Sequence, residues 1–461
     1  DSDLRRGEAV SKTVRLGSGS AYWGDLLEPA VKLAEHGDLD YLCFDHLAEL
    51  TLSILQRHRA KDSSRGYIPD IGPWMDALLP IARANGTRLV TTAGGANPPA
   101  GGRVVIDIAR KHGLEGTKVG VVTGDDVLEP LLRMADEGHR FTNLDDGDDR
   151  IDRVAERIIA ANAYIGAEGI VSCLEAGADV VVAGRVSDNA LYVGPLMHEF
   201  GWTYRDVEKL GAAVTIGHMV ECAALLTGSL SNFWAEAGDI WDVGFPIAEV
   251  DEAGDAVFTK LPGTGGLVTE MTAKEQLVYE VLDPVSYVMP DGIADFTAPS
   301  VQQVGQDRVR MTGMTGRARP DELKVCVGYE DGWIGEGIAM FSWPDALGKA
   351  RKGEETVRQR LRIIGVEPRA LHFEHLGVNT LHGPTAPAPQ EEPNEVGLRV
   401  AAHCDTRDQA DAVKREVLHL WTLGGIGSAI APPGRSRPVI ALWPTLIPRD
   451  AVQVETQILE A

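Results

Sequence analysis

Short apolar runs closed by glycine or a polar turn alternate, through the first half of the chain, with longer segments whose apolar residues recur every three or four positions. The runs fall at residues 14–17, Tyr41–Phe44, 88–92, 118–122 and Val180–Ala183, and residues 161–166 resume the same rhythm. Continuous apolar runs of this length read as strands buried on both faces, and the periodic segments between them read as helices. About six such alternations through residue 228 predict an α/β region with an N-terminal parallel, doubly wound (Rossmann-like) sheet. A barrel would need eight clear units, so the open sheet is the expectation.

Past residue 229 the texture changes. Residues 231–241 are aromatic and loop-like, 245–250 and 256–260 pattern as a hairpin, and 269–279 as a helix. From about residue 309 strands outnumber helices, with helices expected at 345–364 and 407–421, which predicts a smaller α+β domain with antiparallel pairing. The expected divisions are 1–230, 231–305 and 306–461.

The stretch 177–222 gathers the chemistry. After the run Val180–Ala183 come Gly184, Arg185, Val186, Ser187 and Asp188. Strand, turn and helix start in that order put Arg185, Ser187 and Asp188 where a sheet carries its ligands, although Ser187 or Asp188 also suits a helix N-cap. In the following helix Val207, Leu210, Val214 and Leu225 share a stripe with His218 and Glu221 at about 100° per residue. Polar groups on an apolar stripe are buried and need partners, so His218 and Glu221 are either a structural pair or an acid/base couple. Asp45 and Glu49, at the end of the second run, could work as acid and base, hold a cation, or simply open a solvated helix.

Glycine-rich turns supply backbone amides. Gly19 and Ser20 follow the first strand, Gly95 and Asn97 the third, and Thr264 and Gly265 lie in LPGTGGL at 261–267. Each could clasp a carbonyl or anion. None matches GxGxxG, and the last lacks the Gly-Lys-Ser/Thr of a P-loop, so nucleotide hydrolysis is not expected. The acidic run at 136–152 lacks the closing glutamate of a calcium loop and reads as solvated surface. His372 and His375 do not share one face of a strand, so no zinc site is expected there, and no residue is assigned as a metal ligand.

A net charge of −24 argues against nucleic acid and anionic membranes as partners. The five cysteines are dispersed without a CxxC pair, which fits a reducing cytoplasm rather than a disulfide framework. Residues 1–13 are charged, with no signal-peptide core, and no run reaches the ~18 apolar residues of a membrane span. The aromatics of 231–241 would suit a homo-oligomer contact.

The ordered motifs resemble one family closely. GSGSAYWGD at 17–25, LDYLCFDHLAELT at 39–51, AGGANP at 93–98, GADVVVAGRVSDNAL at 177–191, GHMVEC at 217–222 and LPGTGGLVT at 261–269 resemble the acyclic terpene utilisation A (AtuA-like) family over nearly the whole chain. The resemblance implies acyl-CoA metabolism beside acyclic terpene degradation, with an acyl-CoA synthetase acting upstream. It also implies, through a branch in actinomycete diterpenoid biosynthesis, a thioacid synthase that makes thiocarboxylic acids from acyl-CoA with a sulfur donor. Phe44-Asp45-His46 departs from the Phe-Glu-Cys associated with the family at that place. The expected function is therefore an enzyme acting on an acyl-CoA thioester, most sharply a thioacid synthase. The alternatives are a hydratase, lyase or hydrolase using Glu49, Asp188 or His218, and a non-catalytic acyl-CoA-binding subunit. Cys43 and Cys222 are candidate sulfur carriers, against the commoner role of buried cysteine as an inert small hydrophobe. No cofactor is expected beyond acyl-CoA as substrate.

Overall fold

The computed structural model describes residues 12–461. The charged opening segment read above falls, through residue 11, outside the described residues. The chain forms two compact units, one of the described residues to Gly328 together with Leu442–Ala461, the other Tyr329–Ala441.

In chain order the strands are β1 (Thr13–Ser20), β2 (Tyr41–Phe44), β3 (Arg88–Thr91), β4 (Lys118–Thr123), β5 (Ile158–Ala163), β6 (Val180–Ala183), β7 (Pro246–Asp251), β8 (Ala256–Lys260), β9 (Tyr287–Met289) and β10 (Gly292–Asp295). There follow β11 (Ser300–Gly305), β12 (Arg308–Thr312), β13 (Thr315–Arg317), β14 (Glu322–Ser342), β15 (Ala370–Leu376), β16 (Glu395–Cys404), β17 (Ser428–Ile430), β18 (Arg437–Pro448) and β19 (Glu455–Glu460). The first unit is built on a ten-stranded sheet in the order β11-β12-β8-β7-β1-β2-β3-β6-β4-β19.

That sheet corrects the expected Rossmann-like parallel architecture. Only β1-β2, β2-β3, β3-β6 and β6-β4 pair in parallel. The joins β1-β7, β7-β8, β8-β12, β12-β11 and β4-β19 are antiparallel and outnumber them, so the sheet is mixed. Two features of the sequence hid this. The hairpin 246–260 carries no mark of the sheet it will join, yet it extends the β1 edge. Strand β5, counted into the parallel rhythm, pairs with β14 instead.

The central strands are continuous apolar runs because side chains on both faces are covered. Leu42, Phe44, Leu89, Val180 and Val182 pack with Leu33, Trp74, Leu78 and Val105 in one core. Cys43 points the other way, where its thiol donates to the Leu191 carbonyl at 3.2 Å. The helix Val207–Glu221 is buried from Leu210 to Val220, as its all-round apolar sequence requires, rather than along one stripe. It lies against β10 and β13 of a small three-stranded sheet, β13-β10-β9.

That contact depends on a missing side chain. A Cβ at Gly211 would sit 2.4 Å from the Gly316 Cα and 2.5 Å from the Thr315 carbonyl carbon. Gly211→Val is expected to cost about 1–3 kcal/mol, because backbone cannot yield as a side chain does. A denaturant midpoint left at the wild-type value would show that helix and strand do not approach this closely.

The second unit is an antiparallel sheet, β15-β16-β14-β17, with helices Ala346–Ile363 and Arg407–Leu418 enclosing a core that includes Phe341, Val357, Leu398, Val400 and Val417. Among the described residues, no helix is long and apolar enough to cross a membrane.

Candidate functional site

Three chain segments converge inside the first unit: the loop after β2, the loop after β6, and the last turn of the helix Val207–Glu221. The β6 loop is fixed from behind. Asp125 accepts from the Arg185 amide (3.0 Å) and the Asn162 side-chain amide (2.8 Å), and a Cβ at Gly184 would come within 2.4 Å of its carboxylate. Glycine at 184 is therefore needed for the loop to close over Asp125.

Arg185 is the largest fully buried side chain. Its Nε donates to the Val186 carbonyl and its Nη1 to the Leu47 carbonyl, both at 2.8 Å, while Nη2 pairs with Asp188. The guanidinium also stacks on Tyr164, 4.6 Å from the ring centre. These donors are spent on the protein, so Arg185 braces two loops rather than offering a fork to a ligand anion.

Asp45 is buried, and its Oδ1 accepts from the Leu47 amide (3.1 Å) and the Thr92 hydroxyl (2.9 Å). Burial and the neighbouring Asp188 push its carboxyl up to about 7, against the pull of Arg185. Glu221 is raised well above the usual carboxylate range, first by burial and then by Asp188. It accepts from the Cys222 thiol at 3.0 Å. Oxygens of Asp45, Asp188 and Glu221 all lie within 4.8 Å of one another, close enough to surround one cation.

His218 is buried against the rings of Tyr287 and Phe296, with centroids at 5.0 and 4.9 Å, and those two rings stack on each other at 4.6 Å. Its Nε2 lies 2.9 Å from the Gln276 carbonyl, which can only accept, so Nε2 carries the proton. Gln276 returns a bond from its side-chain amide to the His218 carbonyl at 2.8 Å. Burial lowers the imidazole to about 4, leaving it neutral near pH 7. Its Nδ1 lone pair has no partner and stands 3.9 Å from Glu221 Oε1, beyond hydrogen-bond length.

Two cavities meet at these groups. One of about 410 Å³ is lined by Tyr164, Ser187, Asp188, His218, Glu221 and Tyr287. The other, about 640 Å³, is lined by Asp45, Leu47, Arg185, Asp188, Glu221, Ile240 and Phe245. Glu49, Tyr164, Asp188, Glu221, Tyr279 and Glu280 border both. Glu49 is ion-paired with Lys324 at 3.7 Å and stands at the rim rather than in the carboxylate cluster.

The structure thus brings together Asp45, Asp188, Glu221, His218, Arg185 and Ser187, the last donating to Asn189 Oδ1 at 2.9 Å. It places the glycine turns differently. Ser20 donates to the Asp45 carbonyl at 2.8 Å, and a Cβ on Gly19 would strike Phe44, so this turn packs under the site. Gly95 and Asn97 border a separate cavity of about 220 Å³. Thr264 and Gly265 line none of these cavities. The Gly265 and Gly266 amides are taken by the carbonyls of Asp242 and Ala237. Sequence reading missed Tyr164, Thr92 and Gln276. Tyr164 had a signal, an aromatic at the end of the 161–166 run. Gln276 had none, since its role rests on a contact 58 residues away.

Asp45 gives a pH test. Its folded pKa lies above the ordinary 3.8, so the folded state holds the proton more tightly than the unfolded chain does. Stability from this group is full below that ordinary value and is lost as pH rises through about 7. In chelating buffer, the melting temperature is expected to fall between about pH 4 and 7, and Asp45→Asn to flatten that fall. An unchanged slope in the variant would assign the effect elsewhere.

A family model described as acyclic terpene utilisation family protein AtuA matches residues 14–458. No curated protein matches the chain, and no solved structure does.

Proposed function

We propose, from the premise that this chain belongs to the acyclic terpene utilisation family AtuA, that it is an enzyme performing proton-transfer chemistry on an acyclic terpenoid acyl group carried as a CoA thioester. The observation that carries this reading is the meeting of three carboxyl groups within 4.8 Å at the junction of two cavities. The larger cavity has apolar walls, among them Leu47, Leu225, Ile240, Val243 and Phe245, that suit an isoprenoid chain. Its reacting end would then face Glu221, which holds a proton as general acid, and Asp188, whose ion pair with Arg185 fixes the opposing carboxylate. The neutral His218 Nδ1 is a further acceptor beside Glu221, on the side of the smaller cavity. Addition or removal of water beside the acyl carbonyl, or hydrolysis of the thioester, needs only this set.

Thioacid synthesis is the sharper form of the same acyl-thioester chemistry, and it needs a reactive sulfur. Burial pushes the Cys43 thiol up, and burial together with Glu221 does the same to Cys222, so both favour the thiol over the nucleophilic thiolate. The geometry therefore favours water over an enzyme-bound sulfur.

The test is mass spectrometry of a panel of acyclic terpenoid acyl-CoAs incubated with the full chain, with and without sulfide. A hydrated or dehydrated acyl-CoA, or the free acid, supports the reading. A thiocarboxylic acid would replace it with thioacid synthesis. Unchanged substrate that co-purifies with the protein would reduce the chain to a binding subunit.

A further inference from the structure

We propose that Asp45, Asp188 and Glu221 are the protein ligands of one divalent cation of the oxygen-preferring class, and that His218 Nδ1 accepts a hydrogen bond from a water on that cation. This goes beyond the proton-transfer reading and does not depend on it: with the cation bound, Glu221 is a ligand rather than a proton donor, and the cation would bind whether or not an acyl thioester is turned over.

Geometry comes first. Carboxylate bonds to magnesium, manganese or calcium run from about 2.0 to 2.6 Å, so ligand atoms on one ion stand no more than about 4–5 Å apart. The three oxygens meet that limit, lying within 4.8 Å of one another. They come from the loops after β2 and β6, the strands on either side of β3, and from the end of one buried helix, rather than being strung along one loop. An all-oxygen set is the choice of magnesium, calcium or manganese rather than copper or a thiolate-bound metal.

Charge comes second. As ligands all three carboxyls are ionised, and against one guanidinium, Arg185, they would carry two formal negative charges in excess in a largely buried pocket. Glu49 does not worsen this balance, because Lys324 accompanies it. A divalent ion supplies the missing charge.

The third observation is independent of the acids. His218 is buried, its Nε2 proton is committed to Gln276, and its Nδ1 lone pair has no donor. His218 lines the cavity that Asp188 and Glu221 share, and its buried Nδ1 stands 3.9 Å from a Glu221 oxygen. A buried acceptor without a donor is costly, and a carboxylate cannot donate to it once ionised. Water on a cation is a donor of enhanced acidity, placed where the lone pair requires one. Such an ion would polarise a carbonyl oxygen entering the pocket.

The full chain, stripped with chelator and dialysed, is titrated with Mn²⁺ in the absence of any acyl-CoA. Binding is followed by loss of the free-ion paramagnetic resonance signal and by calorimetry. One tight site per chain is expected. Asp188→Asn and Glu221→Gln should each weaken it by ~10-fold or more. A double variant in the exposed acidic loop, Asp145→Asn with Asp146→Asn, should leave it unchanged. Asp188 is the informative ligand, because its side chain is 42% exposed and its replacement leaves the core in place. Near-UV dichroism confirms that each variant is folded. No tight site in the wild type would overturn the proposal, as would Mn²⁺ binding that persists in both site variants or disappears with the loop variant. Because no substrate is present, a failed turnover assay leaves this result standing.

Discussion

Arg185→Met will cost the fold about 3 kcal/mol, the lower end of the range for removing one partner of a buried ion pair. Methionine fills much of the volume but returns none of the bonds to the Val186 and Leu47 carbonyls or to Asp188. Two carbonyls are left without donors, and the Tyr164 ring loses the cation stacked on it. The cost stays near the lower end because Asp188 is partly exposed and can turn towards water. Arg185→Lys should rescue little, since one ammonium cannot satisfy three acceptors spread around a planar fork. Urea denaturation reads both variants. A loss under about 1 kcal/mol for the methionine would mean that the two loops hold each other without the guanidinium.

Glu221→Gln should lower kcat by about 10²–10⁴, the usual contribution of a positioned acid or base, while leaving the fold close to wild type. Glutamine keeps the shape of the side chain and an oxygen that can still accept from the Cys222 thiol. What it loses is the ability to gain and release a proton. The comparison is made on whichever acyl-CoA the panel shows to turn over. Full activity in the variant would remove Glu221 from the chemistry and leave Asp45 and Asp188 as the pair to test.

The parts of this site that lie close in sequence were legible. A helical stripe put His218 and Glu221 together; the helix proves buried all round, with His218 buried and Glu221 partly so beside a cavity. The glycine turn after Val180–Ala183 placed Arg185 and Asp188 at the ends of the sheet. What the stripe could not show was how His218 is used: its proton goes to the Gln276 carbonyl, far along the chain, so the expected pair with Glu221 is not a hydrogen bond. Arg185 read as a ligand-site residue from its place after a strand, whereas here its donors close on the carbonyls of Val186 and Leu47. The turn at 261–267 read as an amide cradle until the Asp242 and Ala237 carbonyls occupied it.

The same division governs the fold. Buried central strands announce themselves, because covering both faces demands unbroken apolar runs such as Tyr41–Phe44. Edge strands do not. β11 and β19 are each exposed at all but one residue, and neither sequence says which sheet it completes. A rhythm of strand and helix identifies neighbours along the chain, but it is silent on partners that return from elsewhere.

One such return bears on how the protein is made. β19 covers the edge of β4, but between them in synthesis lies the whole of Tyr329–Ala441. On the ribosome the later unit is therefore complete while the earlier one still waits for its last strand, with β4 presenting a row of unpaired amides and carbonyls. For that interval the nascent chain is a half-closed sheet tethered to a finished one. The order of translation, rather than any weakness of the final fold, sets its window of vulnerability to strand-to-strand aggregation.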